Sequence, residues 1–323
     1  PMGARMLRRW LMRPIRDHKT LVDRQHVIQE FLEHSSFNDC HALMKSLGDI
    51  ERILSRMALR TARPRDFMHI RRLLETLPEL HQLLKSKQST HLRQLDRQLG
   101  TFSELLLLLQ QAIIDEPPVL IRDGGVIKAG YNEELDRLRD LHKNASGFLD
   151  QLEQQERHRT GVNTLKVGYN KVHGYFIELS RAHDITLPDE YVRRQTLKNA
   201  ERYITPELKR FEEQVLSANE KALALEKALY DELFDKVAPE LMALSQCSMS
   251  LAELDVLANL AERAETLDYV APEFVDDAGI HIEAGRHPVV EVCQNQAFCA
   301  NDLKLTSEPV SYTTLTPATR RTE

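Results

Sequence analysis

A cluster of basic and short polar side chains between residues 191 and 210 has the composition of an anion-binding surface. Six basic and two acidic residues give this stretch a net charge of +4. Guanidinium, ammonium, hydroxyl and amide groups are the donors with which proteins contact phosphate oxygens. The donors in its first half are Arg193, Arg194, Gln195, Thr196, Lys198 and Asn199. The pattern favours the backbone of a nucleic acid as the ligand, and a solvated charged face is the alternative.

The stretch that follows carries the opposite charge. Between residues 212 and 240, eight acidic residues accompany three lysines. The whole chain of 323 residues has a formal charge of -6, which excludes a protein that is basic over its entire surface. A local basic patch remains compatible with this charge, because binding depends on where the charges lie.

Two long helices flank the basic cluster and would position it. Asn132 is a typical N-cap and predicts a helix through residues 133–160. Its apolar positions are Leu135, Leu138, Leu141, Ala145, Phe148 and Leu152. Thr205 followed by Pro206 predicts the start of a second helix. The apolar residues of this helix recur every three or four positions, as in a coiled coil, at Leu208, Phe211, Val215, Ala218, Ala222, Leu225 and Leu229.

The segment between the two helices predicts β-strands. Leu165, Val167 and Tyr169 alternate with small or polar residues, and Tyr175–Leu179 is rich in residues that favour strands. A helix, a small β unit and a returning helix predict a two-helix stalk with a β module at its tip. Each helix of the stalk would be about 40 Å long, so the basic cluster would lie far from the core.

The rest of the chain predicts a mainly α-helical fold. The sequence has only 12 glycines, and residues 1–117 carry apolar residues at helical spacing. Val119–Ile121 and Val126–Ile127 flank two glycines and predict a short hairpin. A phosphate-binding loop is excluded at this glycine pair, because no Lys-Ser/Thr follows it at a helix start.

Catalytic and metal-binding patterns are absent from the sequence, and we assign no residue to either role. The four cysteines are scattered without a CxxC pair, which suits a reducing cytoplasm and argues against a zinc site or disulfides. His287 has no second ligand at metal spacing, so a structural role is expected for it. The longest apolar run, around Leu105–Leu109, is far shorter than the roughly 20 residues that span a bilayer, and no membrane partner is expected.

Five sequence blocks resemble the MutS family of bacterial DNA mismatch repair proteins. They are RMLRRWL at residues 5–11, LRTARPRD at 59–66, VGYNKVHGY at 167–175, RRQTLKNAERY at 193–203 and GRHPVVE at 285–291. The resemblance runs in order from about residue 2 to about residue 305. It implies a helical core (1–145), a DNA clamp inserted at the tip of two lever helices (146–205), returning lever helices (206–269) and the start of an ATPase domain (270–309).

The resemblance also implies partners and site residues. Proteins of this family form homodimers that encircle mismatched double-stranded DNA, use ATP and Mg²⁺, and recruit a MutL-like protein in the bacterial cytoplasm. Lys198 and Asn199 match positions that contact DNA phosphates, and Phe298 matches the aromatic residue that stacks on the adenine of ATP. Further candidates on the DNA-facing surface are Arg193, Arg194, Thr196 and Asn170. The alternative function is a helical stalk scaffold whose tip binds a protein partner.

Two motifs of the family do not occur in this sequence. They are the Phe-x-Glu wedge that reads the mismatch and the phosphate loop GPNMGGKST, and no other G-x-x-x-x-G-K-[ST] is found. Residues 310–323 are polar and interrupted by Pro317 where the family has an apolar strand, so we expect an aberrant or disordered tail there. We expect that neither ATP nor Mg²⁺ binds this chain tightly.

The missing phosphate loop leads to a first prediction. The purified chain should hydrolyse ATP no faster than background, because no backbone cradle or lysine is available for the phosphates. Phosphate release in the presence of duplex DNA measures this. Turnover that stays with the chain through several columns would contradict the prediction.

Overall fold

The computed structural model describes residues 2–33, 35–143, 145–170, 174–180, 187–276, 278–293 and 298–306. The described part is mainly α-helical, as predicted. The helices that precede the stalk are α1 (Met2–Met12), α2 (His18–Leu32), α3 (Phe37–Met44), α4 (Ile50–Ala58), α5 (Pro64–Lys85), α6 (Thr90–Leu99) and α7 (Ser103–Ala112). The later helices are α8 (Glu133–Lys143), α9 (Ala145–Thr160), α10 (Pro206–Val237), α11 (Leu241–Leu267) and α12 (Val290–Cys293).

Helix α11 lies at the centre of the core and packs against α1, α2, α3, α4 and α6. Its fully buried side chains include Leu244, Leu251, Leu254 and Leu257. An 18-residue window within Pro206–Leu267 is apolar enough for a membrane span, with a mean hydropathy of 1.2, and 56% of that window is buried inside the protein. This burial is what a central core helix requires, so the apolar window is explained by packing.

Helix α10 has two halves with different surroundings. Its C-terminal half enters the core, where Tyr230 and Phe234 pack edge-on against Phe67 with ring centroids 5.2 and 5.0 Å away. Its N-terminal half contacts α8 and the strands that precede it. Thr205 caps the helix as predicted, because its Oγ1 accepts a hydrogen bond from the Leu208 amide at 3.3 Å. The N-terminal half of α10 therefore links the main core, which includes Ala218, to a second apolar cluster, which includes Leu208.

A four-stranded antiparallel sheet, which we call the stalk sheet, lies between α9 and α10 in the chain. Its strands are β1 (Lys166–Asn170), β2 (Gly174–Ser180), β3 (Val192–Thr196) and β4 (Ala200–Ile204), in the spatial order β1-β2-β4-β3. Tyr175, Ile177 and Leu179 alternate along β2 and join Leu152 of α9 and Leu208 of α10 in a separate apolar cluster. The predicted stalk with a β module is confirmed, while the domain boundaries that the resemblance implies stay predictions.

Some expectations were wrong. The hairpin predicted around the glycine pair does not form, because residues Ile121–Asp123 make a 3-10 turn and Ile127 pairs with Ile113 instead. The helix predicted through residues 133–160 is present as α8 and α9 on either side of residue 144, which lies outside the described residues, but Leu141 is 53% exposed rather than packed in the seam. The aberrant or disordered tail expected at residues 310–323 lies outside the described residues.

Helix α5 begins with a buried carboxylate. Asp66 Oδ2 accepts hydrogen bonds from the Arg63 amide and from Arg56 Nε, each at 2.9 Å. Burial alone would raise the pKa of Asp66, but the hydrogen bonds from Arg56 and from the Arg63 amide hold this pKa below its ordinary value. The side chain therefore stabilises the folded state as an anion.

Replacing Asp66 with Asn should lower the free energy of unfolding by about 2 kcal/mol at neutral pH, because a neutral amide cannot keep the charged, two-oxygen pairing with the Arg56 guanidinium. Since the folded-state pKa is depressed, this stabilisation is present above the unfolded-state pKa of about 3.9 and is lost as the pH falls through the folded-state value. Urea unfolding of both proteins across that pH range measures the difference. A difference that does not shrink in acid would contradict the assignment.

Candidate nucleic-acid interface

Four of the six basic residues of the cluster lie in the hairpin of β3 and β4, which the sequence pattern did not predict, and Lys209 and Arg210 lie in α10. The Leu197 amide donates to the Ala200 carbonyl at 2.8 Å and closes a tight turn, residues 197–199, which we call the sheet turn. This geometry places Lys198 and Asn199 at the end of the hairpin, where both are exposed. The density of charged residues obscured the strand signal, although Val192, Tyr203 and Ile204 are residues that favour strands.

Lys198 and Asn199 are available to a ligand. Neither side chain forms an ion pair or a hydrogen bond with any residue that the structure describes. An exposed ammonium without a carboxylate partner keeps its full charge for an approaching anion. The two candidates that the resemblance singled out are therefore adjacent and solvent-facing.

The arginines beside the sheet turn are partly neutralised. Arg193 Nη1 lies 3.5 Å from Glu201 Oε1, and Arg194 Nη2 lies 3.7 Å from Glu212 Oε2. The pairing of β3 with β4 shifts between Arg193 and Gln195, so the strand bulges at Arg194. Both arginines and Thr196 are exposed and stay candidates, but the carboxylate partners of the arginines reduce the charge that they offer to a phosphate.

Arg202 belongs to the same basic run but has a structural role. Its Nε donates to Glu178 Oε2 at 2.8 Å, and its Nη1 donates to Gln195 Oε1 at 3.2 Å. Its guanidinium carbon lies 4.0 Å from the centroid of the Phe176 ring, in a cation–π contact. Arg202 thus links β2, β3 and β4 across the outer face of the stalk sheet, and its charge is balanced inside the protein.

Asn170 is not brought next to the sheet turn. It pairs with Gly174 at one end of the sheet, whereas Ala200, next to the turn, pairs with Ser180 at the other end of β2. The length of an extended strand separates the two ends by roughly 20 Å. Asn170 and Lys198 could therefore contact one phosphate backbone only at well-separated phosphates.

Phe298 lies outside the stalk. It is half-buried and precedes β6 (Asn301–Thr306), which pairs with β5 (Gly279–Gly285) in a two-stranded sheet. Nearby in the chain, His287 Nδ1 accepts hydrogen bonds from the amides of Val289 and Val290 at 3.3 and 3.2 Å and caps the short helix α12. The structural role expected for His287 is confirmed.

The described part of the chain contains no group of three or more His, Cys, Asp or Glu side chains that could hold a metal ion. Two of the four cysteines, Cys40 and Cys247, are fully buried, and burial raises the pKa of each thiol to about 12. Neither thiol is a nucleophile at neutral pH.

A comparison with known protein families matches most of the chain to one family model. The family model described as MutS domain III matches residues 1–261. The matched range covers most of the chain and includes the stalk, the stalk sheet and most of α11.

The different surroundings of Arg202 and Lys198 lead to a paired prediction. Arg202→Ala should destabilise the stalk sheet by about 1.5 kcal/mol, because it removes two hydrogen bonds from a cation and a cation–π contact. Lys198→Ala should change stability by no more than about 0.5 kcal/mol, as is usual for an exposed residue. Amide hydrogen exchange of β2 and β4 measures both variants. Equal effects of the two substitutions would contradict the assigned roles.

Proposed function

The chain belongs to the MutS family, and from this membership we propose that its stalk sheet contacts the sugar–phosphate backbone of duplex DNA in mismatch repair. The family implies binding to mismatched DNA. Lys198 and Asn199 would make the central contacts, and Arg193, Arg194 and Thr196 would extend them along the strand.

The observation that carries the proposal is the unpaired ammonium of Lys198 at the end of the hairpin. Phosphate binding gains most from a cation that has no carboxylate partner, because no internal ion pair must be broken first. The neighbouring Asn199 amide adds neutral donors of the kind that contact phosphate and sugar oxygens. A narrow hairpin end also approaches a curved duplex without burying large apolar areas.

The proposed contact is independent of base sequence. Sequence is distinguished by groups that reach base edges, whereas donors to phosphates fix position and orientation only. The sheet turn carries no aromatic side chain that could unstack a base pair. Matched and mismatched duplexes should therefore bind the stalk sheet equally well.

Family membership also supports wider proposals about the working assembly. We propose that the chain acts within a cytoplasmic homodimer that cooperates with a MutL-like protein. ATP and Mg²⁺ would act in that assembly, and Phe298 would stack on the adenine. The stalk sheet would supply DNA contacts to this assembly and no catalytic group.

A protein partner at the stalk tip is the second candidate. Val192 and Tyr169, on the two edge strands of the sheet, are 60% and 52% exposed. Exposed apolar residues on strand edges are typical of surfaces that bind another chain. An apolar contact of this kind responds weakly to salt, whereas phosphate contacts weaken steeply, so salt dependence separates the candidates.

Charge reversal at the sheet turn tests the proposal. Lys198→Glu should weaken binding to matched and mismatched duplexes alike, and should reduce the slope of log K against log salt by about 0.9 for each phosphate that the variant no longer neutralises. Fluorescence anisotropy at several salt concentrations measures both quantities. Arg194 is left intact, because reversing it would place two carboxylates against each other at Glu212.

Lys227→Glu provides the matched control. Lys227 is an exposed lysine of α10 that forms no ion pair with the described residues, and it lies away from the stalk sheet. It makes the same change in net charge and should leave the affinity and salt slope unchanged. If both variants weaken DNA binding equally, the effect comes from the net charge of the protein and the proposed contact is contradicted. Unchanged DNA affinity of Lys198→Glu would also contradict the proposal.

A further inference from the structure

A carboxylate buried within α10 binds a loop of the core through backbone amides. Glu226 is only 2% exposed. Its Oε2 accepts from the Gly125 amide at 3.0 Å, and its Oε1 accepts from the Val126 and Ile127 amides at 2.5 and 2.9 Å. Successive backbone amides that converge in this way form an anion-binding nest. The loop that contains the glycine pair thus binds a carboxylate of the same chain.

The loop conformation depends on glycine. Gly124 and Gly125 have φ values of +70° and +75°, in the left-handed region that side chains disfavour. A Cβ on Gly124 would also lie 2.9 Å from Leu223 Cδ2, so the loop backbone sits tightly against α10. Val126 and Ile127, the next residues, are fully buried in the core. The nest is therefore fixed to the core on one side and to α10 on the other.

A third segment joins through Arg139 of α8. Its Nη2 donates to Glu226 Oε1 and its Nη1 donates to the Ile127 carbonyl, both at 2.9 Å. The guanidinium thus neutralises the buried carboxylate and bonds to the same loop. We call this arrangement of Glu226, Arg139 and residues 124–127 the Glu226 joint. It holds the outgoing helix, the returning helix and the core together at one point.

The Glu226 joint lies in the C-terminal half of α10. Immediately after it, Leu229, Tyr230 and Leu233 are buried in the core. Before it, the helix runs back to Pro206 over about 30 Å, with α8 and the stalk sheet as its neighbours. A small rotation at the joint would therefore displace the stalk sheet by a large distance.

The buried apolar side chains of α10 next to the joint are small. Between the joint and Leu208, which belongs to the apolar cluster of the stalk sheet, they are Val215, Ala218 and Ala222. Small side chains bury little area and restrict the relative rotation of two helices weakly. Hydrogen bonds have directional requirements, so the joint can set an angle that this seam leaves free.

We propose that Glu226 and Arg139 are positioning residues for DNA binding, which hold the stalk sheet at a fixed orientation relative to the core. The inference rests on the proposed function for its DNA part only. Preorganisation raises affinity because the bound geometry is already present in the free protein. Disruption of the joint leaves the DNA-binding residues unchanged, but it widens the range of positions that they occupy relative to the core.

The spread of positions can be measured directly by electron–electron double resonance between two spin labels. One label is attached to Arg72→Cys on α5 and the other to Lys166→Cys on β1, both exposed sites. The exposed Cys293 and Cys299 are replaced by Ser, while Cys40 and Cys247 are buried and stay. The test variant is Glu226→Gln, and Arg139→Lys is a milder second variant that keeps the charge but cannot reach both acceptors.

The control is Tyr230→Phe. It removes a buried hydrogen bond from Tyr230 Oη to the Ala62 carbonyl, 2.7 Å long, in the core half of α10. This variant should lower the melting temperature without broadening the distance distribution. Glu226→Gln and Arg139→Lys should broaden the distribution, and Glu226→Gln should weaken matched-duplex binding about tenfold, equivalent to roughly 1.4 kcal/mol.

Distributions as narrow as wild type in both joint variants would overturn the proposal. Broadening with unchanged DNA affinity would also overturn it, because the orientation would then not matter for binding. Lys198→Glu separates this failure from failure of the proposed function. This variant should bind DNA more weakly and keep a narrow distance distribution. If it binds DNA as tightly as wild type, the proposed DNA contact is wrong. The distance distributions of the joint variants would still test the role of the joint.

Discussion

The buried carboxylate of Glu226 is the constraint on which the arrangement of the molecule depends. A carboxylate removed from water must find donors, and here three loop amides and Arg139 supply them. Because the donors come from the core and from α8, satisfying one charge fixes three segments. Removing one partner from a buried pair typically costs about 3–5 kcal/mol, because the remaining charge is left without a partner. In the proposed account, the Glu226 joint sets the orientation of the stalk sheet relative to the core.

Within the stalk sheet, similar side chains have different roles because of their surroundings. Arg202 is held by Glu178, Gln195 and the Phe176 ring, and it links strands. Lys198 lies at the hairpin end without an ion pair to any described residue and offers its charge to solvent. The net charge of +4 over residues 191–210 therefore overstates the unpaired charge of the hairpin. Lys198 carries its unpaired charge at the sheet turn, whereas Lys209 and Arg210 of the same run are exposed on α10.

The sequence was sufficient to predict the features that depend on local patterns. Caps at Asn132 and Thr205 are confirmed by hydrogen bonds from the Leu135 and Leu208 amides, and alternation predicted β1 and β2. The hairpin of β3 and β4 was missed because charges interrupt its alternation. The loop around Gly124 was missed for another reason: its partner, Glu226, lies about a hundred residues away. A long-range bond between a side chain and backbone amides leaves no periodic signal in either segment.

A rigidly held hairpin end that touches the DNA backbone is the central claim. Amide hydrogen exchange of the full chain, with and without duplex DNA, tests it most directly. We predict slower exchange at residues 197–199 with matched and mismatched duplexes alike, and restoration of the free rate by added salt. Unchanged exchange at the sheet turn, or slowing only with a mismatched duplex, would contradict it.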